Sequence, residues 1–213
     1  MNPPETRRYV DNFDARAATW DDDPAKVERA RAIAKAIVRE APLEKSMHAL
    51  EYGAGTGLIG FMLRSHVADL TLADVSDGML EVARKKIAAA GDPHVHASRL
   101  DLLADPLPAQ RFDLVFSAMT LHHIADTAGI LRRFRAVLRD PGLLCVADLD
   151  REDGSFHGDG FDGHNGFDRD ELGAKARHAG FSGVRFITAY EMQKEAAGEL
   201  RTYPIFLLIA RTG

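Results

Sequence analysis

The sequence predicts an α/β domain with a doubly wound, mostly parallel sheet and a helical N-terminal cap. Three observations predict it. From residue 46 to 149, short apolar runs alternate with helix-like segments. The first of those runs ends in a glycine-rich loop, Gly53-Ala54-Gly55-Thr56-Gly57. Near the C-terminus the alternation breaks, and two strand-like runs follow one another. Strands and helices taking turns imply parallel pairing with both faces of the sheet covered, and glycines after a strand mark where such a sheet opens to a ligand.

The elements follow in order. The first 40 or so residues read as helical. Asp23-Pro24 is a helix start, and Val27, Ala30, Ile33, Ala34 and Ile37 recur with helical period over residues 24–41 until Pro42 stops them. Strands are expected at 47–52, 67–75, 95–102, 112–118 and 143–149, the last entered through a Pro141-Gly142 turn. Helices are expected at 58–65, 78–90 (closed by Gly91-Asp92-Pro93), about 126–138 and about 169–179. Residues 184–190 and 203–210 read as a hairpin-like pair, and residues 153–166, rich in Gly, Asp and His, as a long loop.

Bulk properties narrow the function. A chain of 213 residues with 46% hydrophobic and 28% charged side chains suits one domain with a sizeable core. The formal charge of −5 argues against a nucleic-acid partner. Two basic clusters, Arg84-Lys85-Lys86 and Arg132-Arg133 with Arg135, read as solvated helix faces. Cys145 is the single cysteine, so no intrachain disulfide forms, and its apolar neighbours make it a core residue. The opening residues lack a secretory signal, and no apolar run approaches the roughly 20 residues of a membrane span. A cytoplasmic protein without stable membrane insertion is expected.

The glycine loop supports two readings. Gly55-Thr56-Gly57-Leu58-Ile59-Gly60 has the G-x-G-x-x-G spacing of dinucleotide sites. The fuller string is E-x-G-x-G-x-G, beginning at Glu51. A carboxylate suits a cationic ligand better than a pyrophosphate, whose like charge it would repel. Asp74, closing the second strand, can accept from ribose hydroxyls. Asp101, closing the third, can accept from an adenine amino group. Three acids at successive strand ends after one glycine loop are far more specific than any one of them.

These motifs make the stretch 51–149 resemble the class I S-adenosylmethionine-dependent methyltransferases. Glu51-Tyr52-Gly53-Ala54-Gly55-Thr56-Gly57 is similar to their first motif, Asp74 to their ribose-binding acid, and Asp101-Leu102 to their adenine-contacting pair. Phe112-Asp113-Leu114-Val115-Phe116-Ser117 resembles their fourth-strand motif, with Ser117 beside the methionine part of the cofactor. The style is that of the ubiquinone/menaquinone biosynthesis type and other small-molecule enzymes. The resemblance implies a Rossmann-like seven-stranded sheet of order 3-2-1-4-5-7-6, with strand 7 antiparallel. It implies S-adenosyl-L-methionine as cofactor, held by Glu51, Gly53, Ala54, Gly55, Thr56, Gly57, Asp74, Val75, Met79, Asp101, Leu102 and Ser117. It divides one domain, 1–213, into a helical cap (1–42), a cofactor-binding core (46–150) and a substrate-side remainder (151–213).

Methyl transfer from a sulfonium is an in-line displacement that asks the protein for positioning and water exclusion. That fits the absence of a metal or nucleophile signature. Where the acceptor must lose a proton a base is needed, and His122, in Met119-Thr120-Leu121-His122-His123, is the candidate by resemblance. His123 reads as a helix-start or substrate-side residue. Phe13 and Trp20, seven apart, share a face if their segment is helical throughout, and could close over cofactor and acceptor. His157 and His164 belong to the 153–166 loop, read as a substrate-side lid with glycine hinges; their spacing does not suit zinc. The expected partner is a small-molecule methyl acceptor, with oxygen, nitrogen and carbon all open. Two rival readings are a nicotinamide-dependent oxidoreductase, supported by G-x-G-x-x-G and by Tyr190 and Lys194 at Y-x-x-x-K spacing, and a non-catalytic S-adenosylmethionine-binding module.

Overall fold

Asp23 and Pro24 start a helix as expected. The Asp23 carboxylate accepts from the Ala25 N–H at 3.0 Å, and Pro24 fills a position whose N–H has no helical partner. This helix, α2 (Pro24–Glu40), buries Ile33 and Ile37. It is preceded by α1 (Pro4–Arg16) and a 3-10 segment, Ala17–Asp22. The computed structural model describes residues 4–158, 160–196 and 198–213; residues 1–3, Ala197 and, within the predicted lid, Asp159 lie outside the described residues.

The alternation then unfolds as β1 (His48–Tyr52), α3 (Leu58–Leu63), β2 (Asp69–Asp74), α4 (Asp77–Ala90), β3 (Val95–Arg99), β4 (Phe112–Ala118), α5 (Thr127–Val137), β5 (Leu138–Leu149), α6 (Arg169–His178), β6 (Phe181–Ala196) and β7 (Glu199–Thr212). Among the described residues the sheet has seven strands in the order β3-β2-β1-β4-β5-β7-β6. The strands from β3 to β5 pair in parallel, and β7 runs antiparallel to both neighbours. Period-two alternation sorts β4 between two cores: Leu114 and Phe116 pack with Ile33, Ile37 and Leu63, and Val115 packs with Ile130 and Phe134 on the other face, where Phe112 joins it across a register shift between Phe112 and Leu114. The helix starts are capped from the side chain: Ser76 accepts from Met79 N, Asp126 from Gly129 N, and Asp168 from Asp170 N and Glu171 N.

Several boundaries differ from expectation. The predicted turn at Pro141-Gly142 is an irregularity inside β5: Leu138 pairs with Phe112, and Leu143 with Leu114. The Thr212 hydroxyl closes it, accepting from Gly142 N and donating to the Arg139 carbonyl, both at 2.7 Å. The helix expected over 58–65 ends at Leu63 and continues as a 3-10 turn, and β3 stops at Arg99, before Asp101. The last two strands are 16 and 14 residues long. β7 leaves β5 at Ile205, and beyond that point the pair continues alone from Glu191↔Pro204 to Ala196↔Glu199. An arm with no third strand beside it needs no continuous apolar face, so its sequence carries no alternation. Tyr190 and Lys194 lie on β6, which removes the helical geometry that their spacing would need in an oxidoreductase.

The basic clusters are only partly solvated. Arg84 and Lys85 are exposed, but Lys86 reaches the cap and Arg133 donates to the carbonyls of Leu102 and Asp105. Cys145 is fully buried in β5, and burial pushes its thiol up to about 12. Among the described residues no helix is long and apolar enough to cross a membrane.

Candidate active site

The carboxyl ends of β1, β2, β4 and β5 gather at one edge of the sheet, where open α/β sheets place ligands. The glycine loop leaves β1 there. Gly53 and Ala54 donate to the Ala73 carbonyl at 2.8 and 3.0 Å, which ties the loop to β2. Gly53 sits at φ 71° against Thr120, whose hydroxyl donates to the Gly53 carbonyl, so a side chain fits neither the backbone nor the space.

Glu51 is only 3% exposed, and its carboxyl accepts from Gly60 N at 3.0 Å. Burial, helped by the Asp74 charge, pushes it up to about 8 against the pull of the Gly60 bond and Lys86. Glu51 therefore holds a proton more tightly than an ordinary glutamate does, and a further cation beside it would oppose that. Asp74 accepts from Gly55 N at 2.7 Å and from Ser76 N at 2.9 Å, and burial holds its carboxyl above the ordinary value, with Asp14 adding repulsion. Asp101 accepts from Leu103 N and Ala104 N through one oxygen, capping a turn. Leu102 is buried, and its N–H donates to the Tyr52 hydroxyl at 3.3 Å. Val75 is half-buried, and the Met79 sulfur lies against Gly55. Ser117 is buried on β4, and its hydroxyl has no hydrogen-bond partner among the described residues.

The cap is fastened over this loop by carboxylates that the sequence reading missed. Asp14 accepts from the Ser76 hydroxyl at 2.5 Å and from Gly78 N at 2.8 Å. Asp21 accepts from the Thr56 hydroxyl and from Lys86, both at 2.6 Å. Phe13 and Trp20 do meet, edge to face at 5.7 Å, although the segment breaks from α-helix to 3-10 helix between them. Phe13 also abuts His123 at 5.4 Å, while Lys26 lies over the Trp20 ring.

His122 and His123 occupy a 3-10 turn, Leu121–His123, reached through Met119 at φ 53°. A left-handed non-glycine residue costs about 1–3 kcal/mol and persists only where its surroundings hold it; here Met119 N donates to the Ala147 carbonyl. His122 is buried, and its Nδ1 lies 2.6 Å from the fully buried carboxylate of Asp148. Asp148 also accepts from His122 N and Leu149 N. Burial opposes its charge, but the His122 charge and these bonds together hold the carboxyl below its ordinary value. Asp148 is a further residue that the sequence reading missed, because an acid inside an apolar strand has no local signal. His157 stacks on Phe161 at 3.7 Å, and its ring lies 5.0 Å from His122. Burial, then the His122 charge, lowers His123 to about 3 and His157 to about 4. His164 stands apart from this cluster: its Nε2 is 3.0 Å from the Ile124 carbonyl and 3.3 Å from the Thr127 hydroxyl, pinning the loop to the turn before α5.

Residues 50–144 match the family model described as a methyltransferase domain. An uncharacterized methyltransferase of Schizosaccharomyces pombe is 30% identical over 122 residues, 54% of this chain and 43% of that protein. A ubiquinone biosynthesis O-methyltransferase of Sinorhizobium fredii is 27% identical over 158 residues, 67% of this chain and 63% of that protein. The matches thus span less than two thirds of either relative. Among solved structures, the N-methyltransferase NodS of Bradyrhizobium japonicum, in complex with S-adenosyl-L-homocysteine, superposes with a TM-score of 0.72 at 20% identity, covering 98% of each chain. Residues 50–144 are thus similar to a methyltransferase domain, and the chain shares its fold with the N-methyltransferase NodS.

Proposed function

We propose that the chain is an S-adenosylmethionine-dependent methyltransferase acting on a small-molecule acceptor, a single domain with a cap at 1–42, a cofactor-binding core at 46–150 and a substrate side at 151–213. The observation that carries this is the glycine loop flanked by two buried carboxyls, Asp74 on Gly55 N and Glu51 on Gly60 N, together with Asp101 after β3 and a Ser117 hydroxyl on β4 that has no partner among the described residues. These residues fit the cofactor: Glu51 takes its ammonium group, Asp74 its sugar hydroxyls, Asp101 its adenine amino group and Ser117 its methionine part. Gly53, Ala54, Gly55, Thr56 and Gly57 let the backbone approach, while Val75, Met79 and Leu102 supply apolar contact. When bound, S-adenosyl-L-methionine supplies an already activated methyl group.

The protein's own work is positioning and proton transfer. The cap, through Asp14 and Asp21, excludes water from the crevice. Asp148 accepts the Nδ1–H of His122, which leaves Nε2 to take the acceptor's proton. His122 bonds directly to the Asp148 carboxylate, whereas burial and the His122 charge hold His123 and His157 below the ordinary imidazole value, which favours His122 as the base. Phe13, Trp20, His123, His157 and, more remotely, His164 form or brace the acceptor side.

The test is calorimetric titration with S-adenosyl-L-homocysteine. Asp74→Ala removes a charged acceptor, a loss of about 1.5–3 kcal/mol, so affinity should fall by at least about tenfold. Unchanged affinity contradicts the assigned crevice. A second prediction concerns pH. Glu51 is an acid raised from 4.5 to about 8, so the ligand-free protein binds a proton that the bound ammonium expels. Affinity should rise with pH up to about 8 and then level, with close to one proton released at pH 7. In the ligand-free chain the same raised carboxyl makes stability fall as pH climbs from 4.5 to about 8. Glu51→Gln should flatten both dependences; a pH-independent wild-type affinity counts against the Glu51 assignment.

A further inference from the structure

Resting on the methyl-transfer reading above, we infer that the acceptor is a small flat acid whose carboxylate is held between Arg29 and His157. Arg29 projects from α2 toward β6 and the lid. Its Nη1 reaches the Met192 sulfur at 3.7 Å, and it has no other hydrogen bond and no ion pair among the described residues. A thioether is a weak acceptor, and a guanidinium offers five N–H groups. Two carboxylates exert their fields on Arg29, and both are occupied: Asp23 by Lys26 and Ala25 N, and Asp148 by His122 and two backbone N–H groups. Across from Arg29, the Nε2 of His157 is buried without a hydrogen-bond partner among the described residues. Its ring feels the charges of both Arg29 and Lys194. Lys194 donates to the Phe156 carbonyl and lies 4.9 Å from the centre of that ring.

Two cations and a ring nitrogen unpartnered among the described residues therefore lie near one another, and the carboxylates around them are already engaged, Asp23 by Lys26, Asp148 by His122 and Glu152 by Phe156 N. A largely buried guanidinium without an anion is unfavourable, and a carboxylate matches its fork with two parallel bonds. A cationic acceptor would be repelled by Arg29 and Lys194. The planar walls set the body of the acid: His157 and Phe161 are parallel within 12° and could part to admit a flat ring. His122, 5.0 Å from His157, belongs to the same cluster, so an acid anchored at Arg29 presents its nucleophilic atom near the proposed base.

The probes are benzoate and its neutral counterpart benzyl alcohol, each titrated by calorimetry into the full chain saturated with S-adenosyl-L-homocysteine. Benzoate should bind at least tenfold tighter than benzyl alcohol, and added salt should weaken benzoate alone. Arg29→Gln should weaken benzoate at least tenfold while leaving benzyl alcohol and S-adenosyl-L-homocysteine unchanged. Arg29→Lys, which keeps the charge, should lose less, and it serves if the glutamine variant fails to fold. Equal binding of the two probes, binding of neither, or equal weakening of both in Arg29→Gln overturns the inference. Failure of S-adenosyl-L-homocysteine to bind the wild-type chain would instead overturn the methyltransferase reading.

Discussion

Asp148→Ala is expected to destabilise the chain by about 3–5 kcal/mol, because it breaks a fully buried pair and leaves its partners alone. His122 would lose the acceptor of its ring N–H, and two backbone N–H groups would lose theirs. Activity toward an acceptor that must be deprotonated should fall by about 10²–10⁴-fold, the usual contribution of a positioned base. Asp148→Asn keeps the volume and separates the two effects, since an amide cannot stabilise a protonated imidazole. It should retain more stability than the alanine variant while losing comparable activity toward an acceptor that must be deprotonated. The pH dependence of stability has a definite sign. The Asp148 carboxyl is depressed in the folded chain, so its contribution is present above about pH 3.8 and is lost as pH falls through the folded value. Thermal unfolding across acidic pH measures this, and an unchanged melting temperature in Asp148→Ala would refute the pair's structural role.

Gly78→Ala should also be destabilising, against the ordinary trend. Within a helix, glycine to alanine normally stabilises by about 0.8–1 kcal/mol. At Gly78 the added Cβ would lie 2.8 Å from the Asp14 Cα and 3.1 Å from the Asp14 carbonyl oxygen, and backbone cannot rotate away as a side-chain end can. Overpacking of this kind costs about 1–3 kcal/mol. Relief requires the cap to lift, which breaks the Asp14 bonds to Ser76 and Gly78. We expect a lower melting temperature, faster hydrogen exchange in the cap, and weaker S-adenosyl-L-homocysteine binding. Asp14→Ala, which removes the bonds without the clash, should show the same loosening in milder form. A stabilised Gly78→Ala variant would mean that the cap does not rest on α4 as described.

Much of the architecture was legible in sequence because it rests on local rules. Asp23-Pro24, Asp126 and Asp168 announce helix starts, Pro42 and Gly91 announce ends, and the apolar runs of β1, β2, β4 and β5 need no partner to be recognised. The sheet order followed from the resemblance, and the position of the glycine loop after β1 was legible from its spacing. Asp14 and Ser76, 62 positions apart, were not legible as partners, because no periodicity links them. Asp148 and Arg29 were invisible for the same reason: each looks like an ordinary strand or helix residue until its neighbours are placed. The upward push on the Glu51 carboxyl escaped because it comes from burial, helped by the charge of Asp74, not from its motif. The β5 irregularity closed by Thr212, and the unsupported arm of β6 and β7, likewise depend on distant pairing.

The most direct measurement is a solved complex of the chain with S-adenosyl-L-homocysteine. The ligand is expected along the carboxyl edge of β1 and β2, with its ammonium group at Glu51, its sugar at Asp74, its adenine beside Asp101 and its methionine part within reach of the Ser117 hydroxyl. A ligand seated elsewhere, or a nicotinamide dinucleotide placing its pyrophosphate against the glycine loop, would contradict that placement.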